Sequence, residues 1–227
     1  MRETDNINGT QVQAIIEGLD AVYSLLAEAQ SAWKVVSPWN CPDGCGTCCV
    51  GFEPDVLECE ALYLAAWMLH HQRDRAEALV EGRFAAIGGA TSETCVLFDP
   101  NSPSHCTVYG GRCLICRLFG YSGDRGKDGE PRFRPCKFLP EDESSAGRRQ
   151  YSIEELSAIF GAVPPVMSDI AAQALALSPD SAEERLPLRE ALPRAIAKIR
   201  MLERFSGMPT DPETPEPNPS SPMPRAS

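Results

Sequence analysis

All ten cysteines of this 227-residue chain lie between Cys41 and Cys136, and four of them fall within one short stretch, CPDGCGTCC (41–49). This clustering constrains the fold more than any other feature. Cysteines that act as small hydrophobes scatter among core helices, whereas these sit mainly where the pattern reads as loops or strand ends. Three chemistries crowd thiols in this way: a disulfide framework, a redox dithiol, or a set of thiolate ligands for a metal ion.

The start of the chain, MRETDNINGTQ, is polar and acidic where a secretory signal would be basic and then apolar. The longest unbroken apolar run, Ala61 to Leu69, falls well short of the roughly 20 residues that span a bilayer. These features lead us to expect a cytoplasmic location, where disulfides rarely persist. A net charge of -11 argues against nucleic acid or an anionic membrane as the main partner.

Apolar spacing predicts a helix over 11–35, from Val12, Ile15, Ile16 and Leu19 to Leu26 and Trp33, with Thr10 as its N-cap. A second helix is expected from about Pro54 to Ile87, stopped by Gly88 and Gly89. CVLF (95–98) and CTVY (106–109) flank DPNSPSH and read as a hairpin. SGDRGKDGEPRFR reads as a flexible surface loop. Ser152 and Glu155 form a capping box, the Pro164–Pro165 pair breaks that helix, and helical pattern resumes over 166–177 and 188–205. The segment 207–227, with seven prolines, reads as a disordered tail. The expected architecture is mainly α, with a small irregular cysteine-rich α+β region organised around metal. The expected divisions are an N-terminal helix (1–40), a cysteine-cluster domain (41–139), a C-terminal helical segment (140–206) and the tail (207–227).

C-x3-C-x2-C and C-x2-C spacings let a short loop turn several sulfurs toward one point, where thiolates bind a soft or borderline cation. Gly44 and Gly46 supply the backbone freedom such wrapping needs. Cys48 and Cys49 are adjacent, so their side chains point apart and suit two metals, a bridged cluster, or one ligand beside one packing residue. Four thiolates on a divalent ion leave a charge of about -2, and Arg112, Arg117, Arg134 and Lys137 beside the later cysteines could offset it.

The succession CPDGCGTCC, TCVLF, HCTVY, RCLICRLF and RPCKF resembles the YkgJ-type cysteine-cluster family, described as chelating zinc or iron. On that resemblance the first element is Cys41, Cys45, Cys48 and Cys49, and Cys95 stands alone. Cys106, Tyr109, Arg112, Cys116, Arg117 and Phe119 fill the later element, and Cys136 closes it. The resemblance implies metal ligation by Cys41, Cys45, Cys48, Cys49, Cys95, Cys106, Cys116 and Cys136, as two four-ligand sites or one iron–sulfur centre. Cys113 stands where the family has proline, and Cys59 is additional; we expect Cys59 to be a buried thiol. Some relatives carry a flagellin lysine N-methylase assignment, which cysteines alone do not transfer.

Other readings have weaker support. Cys41, Cys45 and Cys48 satisfy a radical S-adenosylmethionine spacing, yet a helix precedes them and no alternating strand–helix series follows. A redox couple could use Cys45–Cys48 or Cys113–Cys116, though neither lies in a thioredoxin-like setting. His105 is expected at the hairpin surface, and His70 and His71 at a helix terminus. No catalytic residue, substrate or protein partner is legible.

Overall fold

The computed structural model describes residues 4–41, 44–83, 94–102, 104–137, 139, 149–179 and 184–206. The expected end of the second helix at Ile87 and the expected disordered tail lie outside these residues. Helix α1 spans Gln11–Val36, and the Thr10 hydroxyl accepts the Gln13 N–H at its start. It buries Val12, Ile15, Ile16, Leu19, Val22, Tyr23, Leu26 and Trp33, the stripe read from the sequence.

The second helix departs from expectation at both ends. Helix α2 spans Glu58–His71, and Pro54 lies before it in an extended segment whose carbonyl accepts the Leu188 N–H at 3.0 Å. Strand β1 (Asp55–Val56) follows that proline and pairs antiparallel with a later two-residue strand. Pro54 therefore serves a sheet edge, not a first helical turn. At the far end Gln72 leaves the helical conformation (φ -146°), donates its backbone N–H to Met68, and starts helix α3 (Arg73–Val80). Its side chain explains the break: Nε2 donates to the Thr107 carbonyl at 2.6 Å and ties the helix junction to the cysteine segment.

Helix α2 is buried on nearly every face, from Cys59 to Leu69, and small residues Ala61, Ala65 and Ala66 let α1 and the last helix approach it closely. The expected 95–98/106–109 hairpin reduces to one antiparallel bridge, Phe98–Cys106. The connecting turns use the backbone locally: Ser102 donates to the Asp99 carbonyl, and His105 to that of Ser102. Tyr109–Gly111 then winds into a 3-10 turn that leads to helix α4 (Leu114–Leu118).

The segment read as a flexible loop is ordered. Strands β2 (Asp124–Arg125), β3 (Pro131–Phe133) and β4 (Tyr151–Ser152) form an antiparallel sheet in that order. Phe133 decides the matter: it is wholly buried and packs edge-on against Trp33 at 5.4 Å. Trp33, Trp39, Phe133, Tyr151 and Phe160 form an aromatic core that fastens this sheet to the end of α1. Helix α5 (Ile153–Phe160) carries the expected box, Ser152 Oγ accepting from Glu155 N and Glu155 Oε2 from Ser152 N. It ends on Gly161 at φ 69°, a left-handed cap, ahead of the proline pair that was expected to break it.

Helix α6 (Met167–Leu175), strand β5 (Leu186–Pro187) and helix α7 (Leu188–Ser206) complete the chain, with β5 pairing β1 and α7 packing along α2. One apolar core joins α1, α2 and α7 to Val96, Leu97, Val108, Leu114 and Leu118 of the cysteine segment. The described residues are mostly helical, as expected, and their small antiparallel sheets lie outside the hairpin read from the sequence. No described helix is long and apolar enough to cross a membrane.

Candidate metal centre

The segment 41–49 leaves α1 and passes through a 3-10 turn at Thr47–Cys49. Two side chains from distant segments hold it. Cys41 N–H donates to the Tyr121 hydroxyl at 3.0 Å. His105 Nδ1 lies 2.7 Å from the Gly44 carbonyl, and since a carbonyl only accepts, the ring donates there. His105 adopts a positive φ of 51° and stacks on Phe98, so it braces the loop instead of lying free at the hairpin surface as expected. Gly46 faces the same ring; a Cβ at that position would come within 2.2 Å of His105 Cβ.

Cys106, Cys116 and Cys136 lie near this loop, and Cys95 lies near Cys106 and Cys116. Cys41 lies close enough to Cys45, Cys48 and Cys136 for their charges to interact. Cys49 stands in the same relation to Cys48, Cys106 and Cys116, and Cys116 to Cys95 and Cys106. The thiols thus form a first group of Cys41, Cys45 and Cys136 and a second of Cys49, Cys95, Cys106 and Cys116, joined by Cys48, which neighbours Cys41, Cys49, Cys106 and Cys116. Within the 3-10 turn the adjacent Cys48 and Cys49 thiols hydrogen-bond to one another instead of pointing apart as expected from their adjacency.

Burial and mutual repulsion set the electrostatics. Burial pushes Cys41 and Cys116 up to about 12 and Cys95 to about 11, and neighbouring thiols add to each. Burial also raises Cys106, against the opposing pull of the Val108 N–H and of Arg112. Two groups go the other way. Cys45 is lowered by the Thr47 hydroxyl 3.4 Å away, and Cys48 by a hydrogen bond from Cys49, with the Arg112 charge helping. Cys49 is raised by giving that bond and by burial.

Cys59 and Cys113 separate from one another here. Cys59 is buried in α2 with its Sγ 3.6 Å from the Ala174 carbonyl, and the charges that reach it are those of Glu60 and Arg185. It is the buried thiol expected. Cys113 is also buried, but Cys116, Cys95 and Cys106 all act on it, so it underlies the second group. His70 and His71 close α2 and are exposed, in keeping with a helix-terminus role.

One residue that sequence reasoning missed positions this second group. Glu60 is 2 % exposed; its Oε2 accepts the Leu57 N–H at 2.9 Å and its Oε1 the Leu114 N–H at 2.7 Å. A single carboxylate thus caps α2 and fixes the start of α4, the helix that carries Cys116. Burial raises its pKa against the pull of those two N–H groups and of Arg185. Its only sequence signal is an acidic residue inside an apolar helical run.

The donor set suits a soft or borderline cation, being all thiol. Among the described residues, however, no three His, Cys, Asp or Glu side chains are placed to grip one ion as they stand. Closing a ligand set therefore requires thiol side chains to turn, and Cys41, Cys45, Cys48 and Cys49 are all incompletely buried.

A helical scaffold presenting thiols gathered from four chain segments defines a cysteine-cluster protein. Residues 40–144, a little under half of the chain, match the CxxCxxCC family model, described as "Putative zinc- or iron-chelating domain". No curated protein and no solved structure matches it.

Proposed function

We propose that this protein binds zinc or iron through Cys41, Cys45, Cys48, Cys49, Cys95, Cys106, Cys116 and Cys136, and that the cysteine segment is organised around the ion. One observation carries the reading: thiols more than 50 residues apart in the chain gather about the 41–49 loop in a segment matching a zinc- or iron-chelating family. Two four-ligand sites, or a multinuclear centre that Cys48 and Cys49 both reach, would use all eight thiols.

Each ligand must lose a proton to bind. Thiols crowded in a partly buried pocket resist that loss because every new negative charge repels the next. A cation reverses the balance, so metal binding and folding of this segment are coupled. Arg112 stands near enough to Cys48, Cys106 and Cys116 to offset thiolate charge. Iron–sulfur chemistry would supply electron transfer or cofactor activation, and zinc a structural or Lewis-acid role. A cytoplasmic setting agrees with ten free thiols.

A second reading rests on Cys48 and Cys49. A thiol lowered to about 6 beside a protonated neighbour has the character of a reactive pair, which favours thiol redox chemistry.

Anaerobic purification followed by elemental analysis, acid-labile sulfide assay and a visible spectrum tests both. Brown protein absorbing near ~400 nm with stoichiometric sulfide identifies iron–sulfur, and colourless protein with bound zinc the structural role. Ten titratable thiols and no metal would remove the metal reading and leave the redox one.

A further inference from the structure

Cys41, Cys45, Cys48 and Cys116 form one wall of a cleft of about 690 Å³, within the range of small-molecule sites. Three cations, Lys34, Arg112 and Arg117, also line it, and no described carboxylate does. In a chain of net charge -11 that segregation is unusual. Several cations elsewhere are paired, as in Arg125–Asp169 and Arg189–Glu53, whereas among the described residues none of these three has a carboxylate partner.

We propose that this cleft binds a small organic anion, its carboxylate or phosphate group held by Lys34 and Arg112 and its apolar part resting on the aromatic wall. The inference extends the reading of the same wall as a metal site, although the charge contacts themselves need no metal.

The cations are set for such a ligand. Arg112 Cζ sits over the Tyr109 ring, 3.5 Å from the centroid, and Lys34 Nζ sits 4.1 Å over Tyr121. Stacking fixes a cation without consuming its N–H donors. The Arg112 Nε–H is buried and has no acceptor among the described residues. Arg117 is held by the carbonyls of Arg112 and Gly110, at 2.7 and 2.6 Å, and by the face of Tyr23 at 4.0 Å. Lys34 and Arg112 are near enough to repel each other, and an oxyanion between them would relieve that repulsion. Offsetting thiolate charge would account for Arg112 alone. It does not call for an aromatic wall open to solvent, with Tyr109 49 % and Phe119 38 % exposed.

The test is calorimetric titration of the full chain, metal-loaded and metal-free, with benzoate, phenyl phosphate, inorganic phosphate and, as an uncharged control, benzyl alcohol. Saturable binding of an aromatic anion, weakened by salt and absent for benzyl alcohol, is expected; the tighter of benzoate and phenyl phosphate identifies the head group. Lys34→Gln should weaken it roughly tenfold, the effect of one charge-assisted hydrogen bond, with metal content and melting unchanged. Absence of saturable binding by any of the three anions, or binding indifferent to Lys34→Gln, overturns the proposal. Metal loading without anion binding removes the cleft alone; Lys34-dependent anion binding to a chain that loads no metal removes the metal reading and leaves the cleft.

Discussion

Cysteines that look alike in sequence acquire different roles from their surroundings. Cys59 meets Ala174, Glu60 and Arg185, and Cys116 meets Cys95 and Cys106. Cys59→Ala should therefore leave metal content unchanged and lower stability by about 1 kcal/mol, the scale of a small core truncation. Cys116→Ser should reduce the metal bound per chain; equal metal content in the two variants would contradict the assignment. Glu60 is expected to be the costlier polar residue. Glu60→Gln replaces an acceptor with a donor facing an N–H at Leu57 or Leu114, so a loss of about 1–3 kcal/mol in urea midpoint experiments is expected. His105 and Glu60 were the residues hardest to read beforehand. Each acts through a backbone group distant in sequence, the Gly44 carbonyl or the Leu114 N–H, which no local pattern encodes.

At the scale of elements, local signals were legible wherever a local rule governs. The stripe of α1 and its Thr10 cap follow from helical periodicity and side-chain chemistry, and the Ser152–Glu155 box from one turn of chain. Elements governed by remote partners were misread. Gln72 splits the second helix to reach Thr107, and the polar glycine-dotted stretch becomes β2 and β3 because Phe133 finds Trp33. The cysteine loop belongs with these. Its path depends on close approach at Gly46, so Gly46→Ala should displace it from His105 and lower metal content while the helical circular dichroism of α1, α2 and α7 persists. Full metal loading by that variant would show that the loop is held some other way.

For the whole molecule, the thiol protons link stability to pH. In metal-free protein Cys41, Cys59 and Cys116 are pushed up to about 12 and Cys95 to about 11, against about 8.5 for an unfolded thiol. The folded chain holds these protons more tightly, so their stabilisation is complete below about pH 8.5 and is lost as pH rises toward the folded values. Cys48, lowered to about 6, acts oppositely: its contribution is present above the unfolded pKa and is lost as pH falls through 6. The raised groups outnumber it, so the urea midpoint of the metal-free protein should fall between about pH 9 and 11; a flat profile would contradict the burial assigned to these thiols. Metal loading should show the reverse trend, weakening on acidification as protons compete for sulfur. A chelator should lower the melting temperature, and unchanged melting after verified metal removal would count against coupling of metal to fold.

The cysteine spacing, the amphipathic stripe of α1 and the caps were fixed by the sequence itself, because each rests on residues within a turn or two of one another. That sufficed for a mainly helical protein with a thiol cluster. Tertiary structure decided which thiols keep company, that Cys59 stands apart, that Glu60 sets the pose of α4, and that Lys34, Arg112 and Arg117 share a cleft without a described carboxylate. These outcomes depend on packing α2 between α1 and α7 and on closing the aromatic core around Trp33. They are contacts between residues tens of positions apart, and a periodicity read along the chain does not contain them.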